Sequence, residues 1–93
     1  MGKPWFLYVL RCADGSLYTG VTTDLERRLS EHNSSPRGAR YTRARRPVSI
    51  VSSWPFADRS RASQAEAALK RLKRAHKLEV ISGTRPAPWL MPR

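Results

Sequence analysis

An α/β fold is what this chain predicts: a small, three-stranded, mostly antiparallel sheet with helices packed around it. Three observations carry the expectation. Two runs rich in aromatic and β-branched residues, at 5–12 and 17–21, flank Asp14-Gly15, a dipeptide that strongly signals a hairpin. A helix-start pattern, Thr23-Asp24-Leu25-Glu26, follows directly. A third apolar run, at 48–56, precedes a long segment of helical period.

Length and composition set the frame. The 93 residues have room for one hydrophobic core, expected over residues 1–83. Residues 84–93 carry three prolines and are expected as an irregular tail, packed at most through Trp89 and Leu90. The charge is lopsided, 18 Lys and Arg against 7 Asp and Glu, a net +11. Self-repulsion of that size on so small a domain points to a polyanion, and nucleic acid is the commonest. The single cysteine, Cys12, excludes an internal disulfide and fits a reducing compartment. No Cys/His cluster suggests structural zinc. No apolar run approaches the roughly 18 residues of a membrane span, and no signal-peptide pattern opens the chain. The expected protein is cytoplasmic, a monomer or weak dimer, with no membrane partner and no small-molecule cofactor.

Each element follows from local chemistry. Residues 5–12 have the composition of a buried strand. A three-residue loop, Ala13-Asp14-Gly15 with Gly15 in the left-handed region, pairs Cys12 with Ser16. That register puts Tyr8, Leu10, Tyr18 and Gly20 on one face, and Leu7, Val9, Leu17 and Val21 on the other. A two-residue turn would separate the tyrosines. The capping box predicts a helix over about 24–32, with Leu25, Arg28, Leu29 and His32 on its inward stripe. Two of those four are polar, a departure from plain amphipathicity of the kind that marks sites. Residues 33–47 read as a loop carrying Arg37, Arg40, Tyr41, Arg43, Arg45 and Arg46. After the third strand, a helix is expected from about 60 to 76 on an apolar stripe of Ala62, Ala65, Leu69 and Leu72. Its basic surface is Lys70, Arg71, Lys73, Arg74 and Lys77. Residues 78–81 add a short helical or extended piece.

These residues resemble the GIY-YIG nuclease domain, and more closely its small stand-alone bacterial members, the UPF0213 proteins. Phe6-Leu7-Tyr8 stands where the family has G-I-Y, and Tyr18-Thr19-Gly20 where it has Y-I-G. The stretch R-R-L-S-E-H, Arg27 to His32, resembles the helix with the family's essential arginine, which aligns on Arg28. Ala62 to Lys73 resembles the helix with the metal-binding glutamate, which aligns on Glu66. The departures are Phe6 for the first glycine, Thr19 for the isoleucine, and no match for the asparagine many family nucleases carry after the second helix.

The resemblance implies a metal-dependent nuclease acting on DNA or RNA. Glu66 would hold one Mg²⁺ or Mn²⁺ with waters and phosphate oxygens, Arg28 would clamp the phosphate, and Tyr8 would act on the nucleophile. Tyr18 and His32 would bond phosphate or water, and Gly20 would admit the backbone closely. The arginines of the loop, with Lys70 and Lys73, would track a phosphate backbone without reading sequence. Tyr41 would either stack on a base or pack on the sheet. Structural readings stand beside these. Glu66 and Lys70 are spaced as an i,i+4 ion pair, Arg28 could lie over Leu25 with Glu31 as partner, and Cys12 reads as a small core residue. Two further functions remain open: a nucleic-acid-binding module with little or no cleavage, and a basic protein-interaction domain. Salt-insensitive binding would mark the last.

Overall fold

A computed structural model describes residues 2–90; Met1 and residues 91–93, the ends of the expected lead-in and tail, lie outside the described residues. The strands are β1 Trp5–Arg11, β2 Leu17–Thr22 and β3 Ser49–Phe56, and the helices are α1 Leu25–Ser34, α2 Arg40–Arg43, α3 Arg59–Lys70 and α4 Arg74–Ser82. The sheet order is β2-β1-β3, with both pairings antiparallel. Central β1 is the most buried strand, as its unbroken Leu7-Tyr8-Val9-Leu10 run requires. Edge strand β3 alternates between exposed and half-buried positions. Pro55 fits there, because an edge position can forgo one ladder hydrogen bond.

The hairpin takes the three-residue loop. Cys12 N–H donates to the Ser16 carbonyl at 2.8 Å, Gly15 N–H donates to the Cys12 carbonyl at 2.9 Å, and Gly15 has φ +83°. The register then runs Tyr8 opposite Gly20 and Leu10 opposite Tyr18. Both tyrosines therefore share a face. A one-residue slip would have sent Tyr18 to the other side of the sheet.

Each face has its own cover. Over Leu7 and Val9 lie Ala65, Leu69, Val80 and Ala87, with Leu17, Val21, Trp54, Phe56, Leu72, Ile81 and Trp89 around them. Over Tyr8, Leu10 and Cys12 lie Val48, Leu25, Leu29 and Ile50. Cys12 is a buried free thiol in that second cluster.

Three expectations about elements need correction. First, the cap of α1 is Asp24, whose carboxylate accepts from Arg27 N–H at 3.0 Å; Thr23 lies one residue outside. Asp24 is the better anion for the positive helix end. Second, the expected loop at 33–47 is partly helical, because α1 continues to Ser34 and residues 40–43 form α2. Third, the helix expected over 60–76 is two helices, α3 and α4. Running straight from Arg59 to Ser82 it would extend about 36 Å, against roughly 20–27 Å for strands of this length. The break at 71–73 brings Val80 and Ile81 back onto the Leu7/Val9 face. Residues 84–90 contain a 3₁₀ turn at Pro88–Leu90, and Trp89 meets Trp54 and Phe56 edge-on at centroid distances of 5.0 and 5.7 Å. Among the described residues no helix is long and apolar enough to cross a membrane.

Candidate functional site

The polar residues of the inward stripe of α1 meet Tyr8 on the second face of the sheet. Tyr8 is 2% exposed and His32 is wholly buried. The phenol oxygen lies 2.9 Å from His32 Nε2. On the other side of the imidazole, Nδ1 lies 2.8 Å from Thr42 Oγ1, and that hydroxyl donates to the Ala39 carbonyl at 2.9 Å. The Arg28 guanidinium is near enough for its charge to favour ionisation of the phenol.

These contacts assign the protons. The Thr42 hydroxyl spends its single hydrogen on the Ala39 carbonyl, so toward the imidazole it can only accept, and the ring proton sits on Nδ1. Nε2 of the neutral ring is then an acceptor, and the Tyr8 hydroxyl donates to it. The chain runs Tyr8 to His32 to Thr42 to the backbone, each donor with an acceptor. The 3.4 Å approach of Ala39 N–H to Nδ1 is the weakest of these contacts and does not set the tautomer.

Electrostatics keep both groups neutral at rest. Burial pushes the Tyr8 phenol up to about 12, with Tyr18 and Glu66 adding to the rise and Arg28 opposing it. Burial also lowers His32 to about 4, and the nearby Arg28 and Arg46 charges reinforce this. A neutral imidazole beside a neutral phenol is the resting state.

Gly20 is required by the same geometry. A Cβ at that position would stand 2.6 Å from the Tyr8 hydroxyl, inside van der Waals contact with a group already tied to His32. Tyr18 packs edge-on against His32 at 5.1 Å and stacks with Tyr41 at 6.1 Å, and Arg45 lies 3.9 Å over the Tyr41 ring. Tyr41, for which base stacking and sheet packing were both open, thus stacks on Tyr18 while 39% exposed. A hollow of about 250 Å³ opens beside it, lined by Leu17, Tyr18, Thr19, Tyr41, Lys70 and Lys77.

Glu66, on α3, is near enough for its charge to be felt at Tyr8. Its carboxylate contributes to the high pKa of Tyr8 and accepts from Lys70 at 3.3 Å. Arg28 donates to Glu31 at 3.0 Å and to the Arg37 carbonyl at 2.8 Å. The structure thus contains both ion pairs of the structural reading, and the charges of Arg28 and Glu66 are both felt at Tyr8. Among the described residues no three His, Cys, Asp or Glu side chains cluster as a metal cage. One carboxylate still suits magnesium, which keeps most of its waters and shares substrate phosphate. The Lys70 end of the pair is half-exposed and the pair is of a class worth about 0.3–0.5 kcal/mol, a weak hold on the carboxylate.

The loop arginines divide. Arg37, Arg40 and Arg43 are exposed, as is Lys73 at the start of α4. Arg45 is held by Asp14 at 3.1 Å and by the Tyr41 carbonyl at 2.9 Å. Arg46, expected to contact phosphate, is turned inward. It donates to the carbonyls of His32, at 2.5 Å, and Ser35, at 2.6 Å, where the end of α1 leaves acceptors without helical partners. Arg74 of the expected basic surface donates to the Gly15 carbonyl at 2.8 Å, away from Tyr8.

Sequence reasoning missed Thr42 and the Ala39 carbonyl. Thr42 is wholly buried, yet it sits in a stretch read as loop, ten residues from the histidine it supports. No periodicity marks such a position.

The GIY-YIG catalytic domain family model matches residues 4–79. The chain is 51% identical over 80 residues to a UPF0213 protein of Desulfotalea psychrophila, covering 86% of this chain and 73% of that one. It is 58% identical over 76 residues to one from Xanthomonas axonopodis pv. citri, covering 82% and 74%. Among solved structures, the solution NMR structure of a UPF0213 protein from Bacillus halodurans aligns with TM-score 0.57 at 40% identity, over 92% of this chain and 89% of that one. That of a protein from E. faecalis aligns with TM-score 0.58 at 42% identity, over 88% of each.

Proposed function

Because the chain belongs to the GIY-YIG family, and within it to the UPF0213 proteins, we propose that it is a metal-dependent nuclease hydrolysing phosphodiester bonds in DNA or RNA. The observation that carries this reading is the buried Tyr8–His32–Thr42 chain, whose tyrosine end feels the charges of Arg28 and Glu66.

Hydrolysis needs a positioned water, a neutralised phosphate and somewhere for the water's proton to go. Arg28 is placed to clamp the phosphate. A phenol held near 12 is rarely ionised at neutral pH, so Tyr8 does not wait as a phenolate. It takes the water's proton while passing its own to His32 Nε2, whose Nδ1–H stays on Thr42. The cost of charging His32 falls once substrate is bound, because the phosphodiester adds negative charge beside an imidazole otherwise surrounded by arginines. Glu66 would hold Mg²⁺ or Mn²⁺, which would supply further charge stabilisation when bound. Exposed Arg37, Arg40, Arg43 and Lys73 supply phosphate contacts, and Tyr18 with Tyr41 an aromatic surface for a base.

A second reading, a binding module of the same fold with little or no cleavage, is favoured by the Glu66–Lys70 pair and by the lack of an asparagine after α3, the helix of Glu66. One experiment separates them. Labelled single-stranded, duplex, flapped and branched DNAs and RNAs are incubated with wild type and Glu66→Ala, with Mg²⁺, Mn²⁺ or chelator. Metal-dependent products from wild type alone support the nuclease. Binding without products across the panel supports the module, and no binding at low salt removes both.

A further inference from the structure

On the Leu7/Val9 face, at the hairpin end of the sheet, α4 and the strands enclose a groove of about 220 Å³ lined by Arg11, Leu17, Val51, Arg74, Leu78 and Ile81. Its floor is aliphatic and its rim carries two guanidiniums. Four large apolar side chains are exposed among the described residues, and two of them, Val51 at 38% and Leu78 at 42%, belong to this groove. Singly exposed apolar residues need no explanation, but two meeting in one concavity beside two charges do. Among the described residues neither arginine is in an ion pair. Arg74 donates to the Gly15 carbonyl. Asp14, next to that glycine, is turned away to Ser16 and Arg45.

Nucleic acid fits this surface poorly. Its phosphates would meet the arginines, but its bases would find no ring to stack on, and the aromatic pair Tyr18 and Tyr41 serves the other hollow. The volume is also below the roughly 300–1,000 Å³ of pockets that enclose small-molecule ligands; it suits one large side chain. We propose that this groove docks an acidic peptide segment of a partner protein. One apolar side chain seats among Leu17, Val51, Leu78 and Ile81, and flanking carboxylates pair with Arg11 and Arg74 in the bidentate geometry guanidinium favours. The seat shares only Leu17 with the hollow beside Tyr41, and Val51, Leu78, Arg11 and Arg74 belong to it alone. The inference stands independently of the proposed chemistry.

The test uses fluorescence anisotropy at about 150 mM salt, where long-range attraction is screened. The probe is a short fluorescein-labelled peptide of aspartates and glutamates around a Leu-Phe pair, compared with the same peptide carrying Ser-Ser. Wild type should bind the Leu-Phe peptide at least about tenfold more tightly, a difference of about 1.4 kcal/mol. Leu78→Ser should erase that preference while leaving binding of a labelled oligonucleotide unchanged. Arg11→Gln with Arg74→Gln should weaken both peptides. Val51→Ser provides an independent check should Leu78→Ser disturb the circular dichroism spectrum. Equal affinity of wild type for the two peptides would overturn the proposal, as charge alone would then suffice. So would a Leu78→Ser protein that keeps the preference, or one that loses the oligonucleotide instead.

Discussion

The two faces of the sheet are built by opposite rules. Over Leu7 and Val9 the enclosed cluster is apolar throughout, assembled from α3, α4 and the residues after them. Over Tyr8 and Leu10 an imidazole and a threonine hydroxyl are wholly buried, with the phenol 2% exposed beside them. An apolar face needs only volume and periodicity, and tolerates substitutions that keep both. The polar face needs every donor matched to an acceptor, because one orphaned buried group costs about 1–3 kcal/mol. A cluster that costly is expected where its atoms do chemistry.

Truncation on the apolar face should give the largest loss of stability. Leu69 is wholly buried there, so Leu69→Ala should lower the unfolding free energy by about 2–5 kcal/mol in urea denaturation. Any cleavage per folded molecule should be unchanged; a selective loss of cleavage would blur the contrast between the faces. On the polar face Gly20→Ala should cost less, about 1–3 kcal/mol by overpacking, yet disturb the site more. Its new Cβ would meet the Tyr8 hydroxyl, so His32 ring resonances in NMR spectra should shift and cleavage should fall by about tenfold or more. Unshifted resonances would mean the phenol has room to move.

Acid probes the same face. His32 is lowered from 6.5 to about 4, so between those values the unfolded chain binds a proton that the folded one refuses. Stability therefore falls as pH drops through that window, by at most about 1.4 kcal/mol per pH unit from this group, and the loss levels off below about 4. Denaturation series at pH 7 and 5 on wild type and His32→Asn should show a steeper dependence in wild type; parallel slopes would place the imidazole in water. The smallest effect belongs to the rim. Lys70→Ala should change stability by less than about 0.5 kcal/mol. By freeing Glu66, it should roughly halve the Mn²⁺ concentration that broadens nearby NMR signals. No change, or a higher requirement, would argue against Glu66 as a cation ligand.

How legible each part was follows from the range of the forces that set it. The strand composition of 5–12 and 17–21 and the three-residue loop around Asp14-Gly15 pointed to which tyrosines share a face, since turn geometry and register act over a few residues. The polar positions Arg28 and His32 on the inward stripe of α1 drew attention to the site before any partner was visible. The resemblance of the chain to its family pointed to Glu66, which blind spacing alone would have left as a partner of Lys70.

By itself, then, the sequence determined the hairpin and its faces, the presence of α1, the third strand and the excess of positive charge. All of these rest on dihedral preference, short-range hydrogen bonding or composition. Only the tertiary structure decided that the long C-terminal helix breaks at 71–73, that Arg46 turns inward to carbonyls at the end of α1, and that Thr42 holds His32 from a segment without periodicity. Those outcomes depend on surfaces meeting across long stretches of chain, where burial and the need to satisfy each enclosed polar atom outweigh local preference.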